Sequence, residues 1–334
     1  MNSLSLGDLA NSFMLQQRSS ALKTELSKLT TELASGQVSD VKSVLAGNLS
    51  YLTDIENGLS TLQGYKVSSA EAAQFTNAMQ TVLETVQETS STFGANLILV
   101  TNGNLDSVAV QSSSEAFELL KSTIGTLNSD FAGRSLFSGA ATDQPALGSA
   151  DQLIADLRAE VTGVVGSTSK IAAIESWFDD PAGFDSSFYG GSTTNITPFK
   201  VSDSEELFIE IRATDPAIKD TLKNFALAAL AADDILNIDH VERKDLLLAA
   251  GEGLLQNQEG VTGLRTQVGF LESRIEVAST QNESERLSLE YDKGSLLEAD
   301  PYETAIRLEE VQFQLQSLYS VTVRTSQLSL VNFL

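Results

Sequence analysis

Residues 300–318 read DPYETAIRLEEVQFQLQSL, and this stretch decides the fold class. Asp300 stands where a helix N-cap is wanted, Pro301 fills the first helical position, and Glu303 sits at capping-box distance. Leu308, Val311, Leu315 and Leu318 follow at alternating steps of three and four, which keeps one apolar seam on one side of a helix. Beyond it, Val321, Val323, Leu328, Leu330, Val331, Phe333 and Leu334 are too many apolar residues for one stripe. A terminal helix with several apolar faces needs neighbours on several sides. Either it is buried in its own domain, or it meets other subunits through heterologous contacts that close into a ring or run on as a filament. In the second case, ends with small seam residues such as Thr322 and Thr325 are expected to fold on contact.

The opposite end carries the same pattern. From Leu15, leucines recur at Leu22, Leu26, Leu29 and Leu33, then Gly36 and Val38-Ser39-Asp40 interrupt the helix. Leu45, Leu49, Leu52, Leu59 and Leu62 resume it, and Phe75, Met79, Val82, Val86 and Phe93 repeat the spacing. Asn102-Gly103-Asn104 signals a turn. Ser112 and Glu115 then have capping-box spacing ahead of Phe117, Leu120, Ile124, Leu127 and Phe131, which predicts a further amphipathic helix. Toward the C-terminus, Asp215-Pro216 predicts a helix start before Ile218, Leu222 and Phe225. Val261, Leu264, Val268, Leu271, Ile275 and Ala278 form another seam that fades in the polar run 281–286.

Between these helical ends the composition changes. Glycine, serine, threonine and three of the five prolines gather between about 133 and 215. Phe199, Val201, Leu207, Ile209 and Ile211 all hold odd positions, the last three alternating as a half-buried strand does. The expected organisation is a helical half over 1–132, a small mixed or β-containing domain over 133–214, and a second helical half over 215–334. The fold is mainly α, on a hairpin-like path that lets the first and last segments pack together.

Composition narrows function. The chain has 334 residues, 45 acidic against 21 basic, a net charge of −24 and a pI near 4.3. Such a charge repels phosphate backbones and anionic membranes, so neither nucleic acid nor membrane is an expected partner. With no cysteine, disulfides, thiolate metal sites and a cysteine nucleophile are excluded. The longest apolar run, 226–232, is far short of a spanning helix. The start of the sequence lacks a basic region followed by an apolar one, so no Sec-type signal is read there. Alone, this points to the cytoplasm unless export uses a route without a cleaved signal.

Chemistry finds little support. His240 is the only histidine, leaving no Ser-His relay and no multi-histidine metal site, and a solvated or locally capping role is expected. Asp179-Asp180 and Asp233-Asp234 lack the alternating ligand loop of a calcium site and read as N-caps or solvated charge. Trp177, Phe178, Phe184, Phe188 and Tyr189 form an aromatic cluster that suits a small core better than a sugar or partner surface. Asn195-Ile196-Thr197 fits a glycosylation acceptor but is too short to weigh. No phosphate-cradling loop appears, so no enzyme, cofactor or metal is expected.

Three stretches resemble a known family. Residues 299–305, 315–318 and 328–334 (LSLVNFL) are similar to the C-terminal helix of bacterial flagellins. Residues 26–36 look like the N-terminal helix of that family running into its serine-glycine turn, although Gln37-Val38-Ser39-Asp40-Val41 departs from the basic and double-aspartate residues usual there. Gly133-Arg134-Ser135-Leu136-Phe137-Ser138-Gly139 is similar to the turn of the hook-filament junction branch, the hook-associated protein 3 type.

The resemblance implies a long antiparallel helical rod or coiled coil formed by both termini, with the insertion facing outward. It implies a non-enzymatic subunit joining the hook, through a neighbouring hook-associated protein, to the flagellin filament. The filament subunit itself is the nearest alternative, and a soluble coiled-coil adaptor is one from a different class. Partners would be further copies of the chain in a ring, the adjacent hook-associated protein, flagellin, the flagellar export apparatus and an export chaperone. The location would be the extracellular flagellum, reached without a cleaved signal. Interface or coiled-coil positions would be Leu22, Leu26, Leu29, Leu33, Leu308, Val311, Leu315, Leu318, Leu328, Leu330, Phe333 and Leu334, each fully buried leucine contributing about 1.5–3 kcal/mol. Gly133, Arg134, Leu136, Phe137, Ser138 and Gly139 would form the family turn.

Overall fold

The structure, a computed structural model, describes residues 3–45, 49–103 and 105–331, with side chains except at 3–9, 43–44 and 326–331. Ten α-helices are found among the described residues: α1 Ser3–Ser35, α2 Val41–Leu45, α3 Leu49–Asn102, α4 Asp106–Leu127, α5 Ala150–Val161, α6 Ser167–Asp179, α7 Pro216–Leu230, α8 His240–Gln256, α9 Gln258–Leu297 and α10 Pro301–Val331. The four strands are two residues each: β1 Asp130–Phe131 pairs antiparallel with β2 Arg134–Ser135, and β3 Phe199–Lys200 with β4 Glu206–Leu207. The fold is mainly α.

Contacts gather the chain into two units, residues 1–62 with 283–334 and residues 63–282. These limits differ from the composition breaks near 133 and 215. Glycine and proline mark where helix stops, whereas a unit is defined by what shares a core, and residues 133–214 share theirs with α4, α7 and α8.

Several local signals act as the sequence suggests. Asp300 Oδ1 accepts the backbone N–H groups of Tyr302 at 2.8 Å and Glu303 at 3.1 Å, satisfying two of the orphan donors at the start of α10. Two caps that the sequence reading did not single out are Asp239, which caps α8 through the Glu242 N–H, and Ser149, which caps α5 through that of Gln152. Gly36 ends α1 in the left-handed region, φ +69°. The polar run 281–286 does not end its helix: α9 continues to Leu297, with Arg286 paired to Glu283 and Glu290 along the same face.

Three expectations are corrected. The helix predicted to begin at Ser112 begins at Asp106, and Ser112 is buried inside it. Its start is held from outside, by Arg243 and His240 on the Asp106 carboxylate, and this carboxylate has its pKa lowered by the His240 and Arg243 hydrogen bonds. In the 199–211 strand, Phe199, Val201, Leu207, Ile209 and Ile211 are all buried as alternation requires, but only 199–200 and 206–207 find ladder partners. The aspartate pairs are not N-caps, although Asp179, Asp180 and Asp234 are exposed as solvated charge is. Asp180 follows α6 and accepts the Ala182 N–H, and Asp233 holds Arg158 at 2.6 Å.

The core of residues 63–282 is continuous from α3 into α4–α9 and the loops between them. Phe93 of α3 stacks on Phe225 of α7 with ring centroids 5.7 Å apart. Phe178 stacks on Phe184 at 5.2 Å with Trp177 edge-on to both, so the aromatic cluster is core, closed by the π-helical turn Phe184–Phe188.

Candidate assembly interface

Within residues 1–62 and 283–334, α1 and α10 pack along each other. They run antiparallel: Lys23 Nζ lies over the Tyr319 ring at 5.9 Å, and beyond the helix ends Gln37 bridges Glu298. The connection is sealed by Val38 N–H to Leu297 O and Ala299 N–H to Gly36 O, both 2.9 Å. A small cluster of Leu45, Leu52 and Leu297 lies beside it, and the buried Glu32 carboxylate accepts the Ser39 N–H at 2.7 Å.

The seam residues fare unequally. Leu29, Val311 and Leu315 are buried, Leu22, Leu26, Leu308 and Leu318 are half-buried, and Leu33 is 40% exposed. The side chains of Leu328 and Leu330, and residues Phe333 and Leu334, lie outside the described residues. Large apolar side chains off the seam face solvent: Phe13 at 67%, Met14 at 63%, Phe313 at 70% and Val323 at 56%. One seam of α10 is thus used within the unit and a second apolar face is left uncovered. Sequence reading singled out the seam but missed Phe13, Met14 and Phe313. Their signal was available, since they are large apolar residues that fall outside the 3/4 spacing of the seams.

The glycine turn has a different role from the leucines. Ala132 and Gly133, at φ 53° and 77°, form the two-residue loop joining β1 to β2, and the Asp130 carboxylate accepts the Gly133 N–H at 2.9 Å. Leu136, Phe137, Ser138 and Gly139 are all buried. Phe137 O accepts from the Ala213 N–H and Ser138 O from the Ser192 N–H, so the segment joins two distant stretches of chain. Gly139 admits no side chain: a Cβ there would come within 2.5 Å of the Ser192 and Thr194 carbonyl oxygens, and its φ is +61°. The Arg134 guanidinium lies over the Phe75 and Phe199 rings at 5.6 and 5.4 Å and pairs with Glu71. These are contacts of an interior hub.

Among the described residues no cluster of acidic and histidine side chains could hold a metal ion, and no helix is long and apolar enough to cross a membrane.

Residues 254–334 match the bacterial flagellin C-terminal helical region. No curated protein matches the sequence. Among solved structures, Bacillus cereus FlgL is similar at 15% identity and a TM-score of 0.52, over 72% of this chain and 99% of that one. A Vibrio parahaemolyticus structure described as a flagellar hook-associated protein is similar at 15% identity and a TM-score of 0.49, over 73% of this chain and 95% of that one. The last part of the chain, residues 254–334, thus matches the C-terminal helical region of bacterial flagellins, and its mainly α fold is like that of a FlgL.

Proposed function

We propose that this protein is a structural subunit of the bacterial flagellum, forming the junction between the hook and the flagellin filament and catalysing no reaction. The carrying observation is a helical pair whose inner seam is filled while Phe13, Met14, Phe313 and Val323 stay exposed, on a chain whose last residues match the flagellin C-terminal region. Burying such faces against further copies would remove large apolar side chains from water, about 1.5–3 kcal/mol for each one fully covered. The likeness of fold to a FlgL supports the junction over the filament itself. The positions Leu22, Leu26, Leu29, Leu33, Leu308, Val311, Leu315, Leu318, Leu328, Leu330, Phe333 and Leu334 belong to the pairing and assembly surfaces. In this reading the protein reaches the cell exterior through the flagellar export apparatus, with a chaperone, and meets an adjacent hook-associated protein on one side and flagellin on the other.

Deleting the gene tests the reading. Hooks without filaments, with flagellin spilled into the medium, are the expected result. Loss of flagellin itself would make the chain the filament subunit, and unchanged motility would leave the adaptor reading. Removing about the last twenty residues should abolish assembly, a loss that an adaptor would tolerate.

A further inference from the structure

The apolar seam joining α3 to α9 within residues 63–282 does not by itself select one alignment of the two helices. Val82, Val86, Leu264 and Val268 are all buried there, and they are similar enough in size for a slip of one turn to bury comparable surface. Beside that seam runs a row of polar side chains that is specific to alignment. Gln258 Nε2 donates to Ser90 Oγ at 3.0 Å, Gln87 Nε2 donates to Thr262 Oγ1 at 2.9 Å, and Arg265 donates from its guanidinium to Gln87 Oε1 at 2.8 Å. The residues climb α3 as they descend α9, so each contact holds in only one register.

The row includes polar atoms that gain nothing. Gln80 Oε1 and Arg265 Nε are buried without partners, and Gln80 reaches the Arg265 carbonyl only at 3.5 Å. Arg265 stands 3.6 Å from Glu84, which is 63% exposed. Polar groups buried this incompletely cost stability relative to apolar residues of similar size. Their best-attested use at a helix–helix seam is to penalise every alignment but one.

We propose that the polar row built from Gln80, Gln87, Ser90, Gln258, Thr262 and Arg265 is a register lock, which fixes how far α9 is slid along α3 at the expense of stability. The lock is independent of the hook-junction reading. A competing determinant is the close approach of α3 to α8, where a Cβ on Gly94 would meet Leu254 Cβ at 3.0 Å and one on Gly251 would meet the Gly94 carbonyl at 3.1 Å. The test separates the two.

The chain has no native cysteine, so spin labels can be placed on the full-length protein at A73C on α3 and E259C on α9, both exposed sites. The parent should give one narrow distance by pulsed electron paramagnetic resonance. In the triple variant Gln80→Leu, Gln87→Leu, Arg265→Leu, a second population should appear, displaced by about 6 Å, the rise of four helical residues. The variant's thermal midpoint should equal or exceed the parent's. A single unchanged distance in a folded triple variant would overturn the lock. If the triple variant unfolds, the row is a net source of stability, which also overturns the proposal. Restoring Arg265 and Gln87 in the variant should return the single distance.

Discussion

In residues 63–282, Phe75, Met79, Leu83, Leu97, Leu120 and Leu127 are exposed by 1% or less, whereas in residues 1–62 with 283–334 a seam of the same spacing leaves Leu33 40% exposed. The two units obey one sequence pattern and reach different ends. In the larger unit, five helices and their connecting loops surround the partner face of α3 and α4, so the apolar side chains of that face are buried, while others such as Leu99 at 70% and Phe270 at 67% lie outside it. In the terminal unit α10 has α1 along one side, and Phe313 at 70% and Phe13 at 67% have no cover. The lesson is that a 3/4 seam reports an apolar face and not how completely it is covered. Coverage depends on how many elements converge, and a pair of helices covers one stripe of each.

The largest test of that contrast is Phe137→Ala. Phe137 is fully buried in the hub and its removal leaves a cavity in a close-packed core, so a loss of about 3–5 kcal/mol is expected in urea unfolding of the larger unit. Leu29→Ala should cost about 2–4 kcal/mol, and the damage should appear as faster hydrogen exchange confined to residues 1–62 and 283–334. Leu33→Ala, at the same spacing but exposed, should cost less than half as much. Equal losses at Leu29 and Leu33 would mean that the terminal unit is as fully packed as the larger one. Phe313→Ser should change monomer stability by only about 0.5 kcal/mol, since the ring is already in water, yet it should lower the assembled fraction in sedimentation. If assembly survives that change, the exposed face of α10 is not the interface.

The smallest effect is one of pH. Burial pushes the Tyr189 phenol up to about 12, and its hydroxyl donates to the Ser192 carbonyl at 3.0 Å. A group whose pKa is higher folded than unfolded stabilises fully below the unfolded value, about 10 for tyrosine. That contribution is lost as pH rises from there through about 12. An alkaline ultraviolet titration should show a late phenol that disappears in Tyr189→Phe, together with a flatter alkaline limb of the stability curve. Because a single phenol carries the effect, the change is expected to be modest.

Much of this was legible in the sequence because it is written locally. Asp300-Pro301 sets its helix end by capping, and Asp215-Pro216 and Gly36 set theirs by backbone geometry, all of which involve only a few adjacent residues. The seam positions Leu29, Val311 and Leu315 were legible for the same reason, as was the burial of Phe199, Val201 and Leu207. Other features were not. The start of α4 at Asp106 depends on Arg243 and His240, more than a hundred residues away. The glycine turn looked like a family signature, and only the fold shows it as a hub with Phe137 at its centre and Arg134 held over two aromatic rings from separate elements.

Sequence by itself determined that the chain is mainly helical, that its two ends are amphipathic, and that it carries no cysteine chemistry and little charge complementary to nucleic acid. Those properties follow from composition, from helical periodicity and from caps, all of which act within a turn or two of chain. Tertiary structure alone decided which residues share a core and which faces of α1 and α10 stay uncovered, because burial is a property of what surrounds a side chain in space.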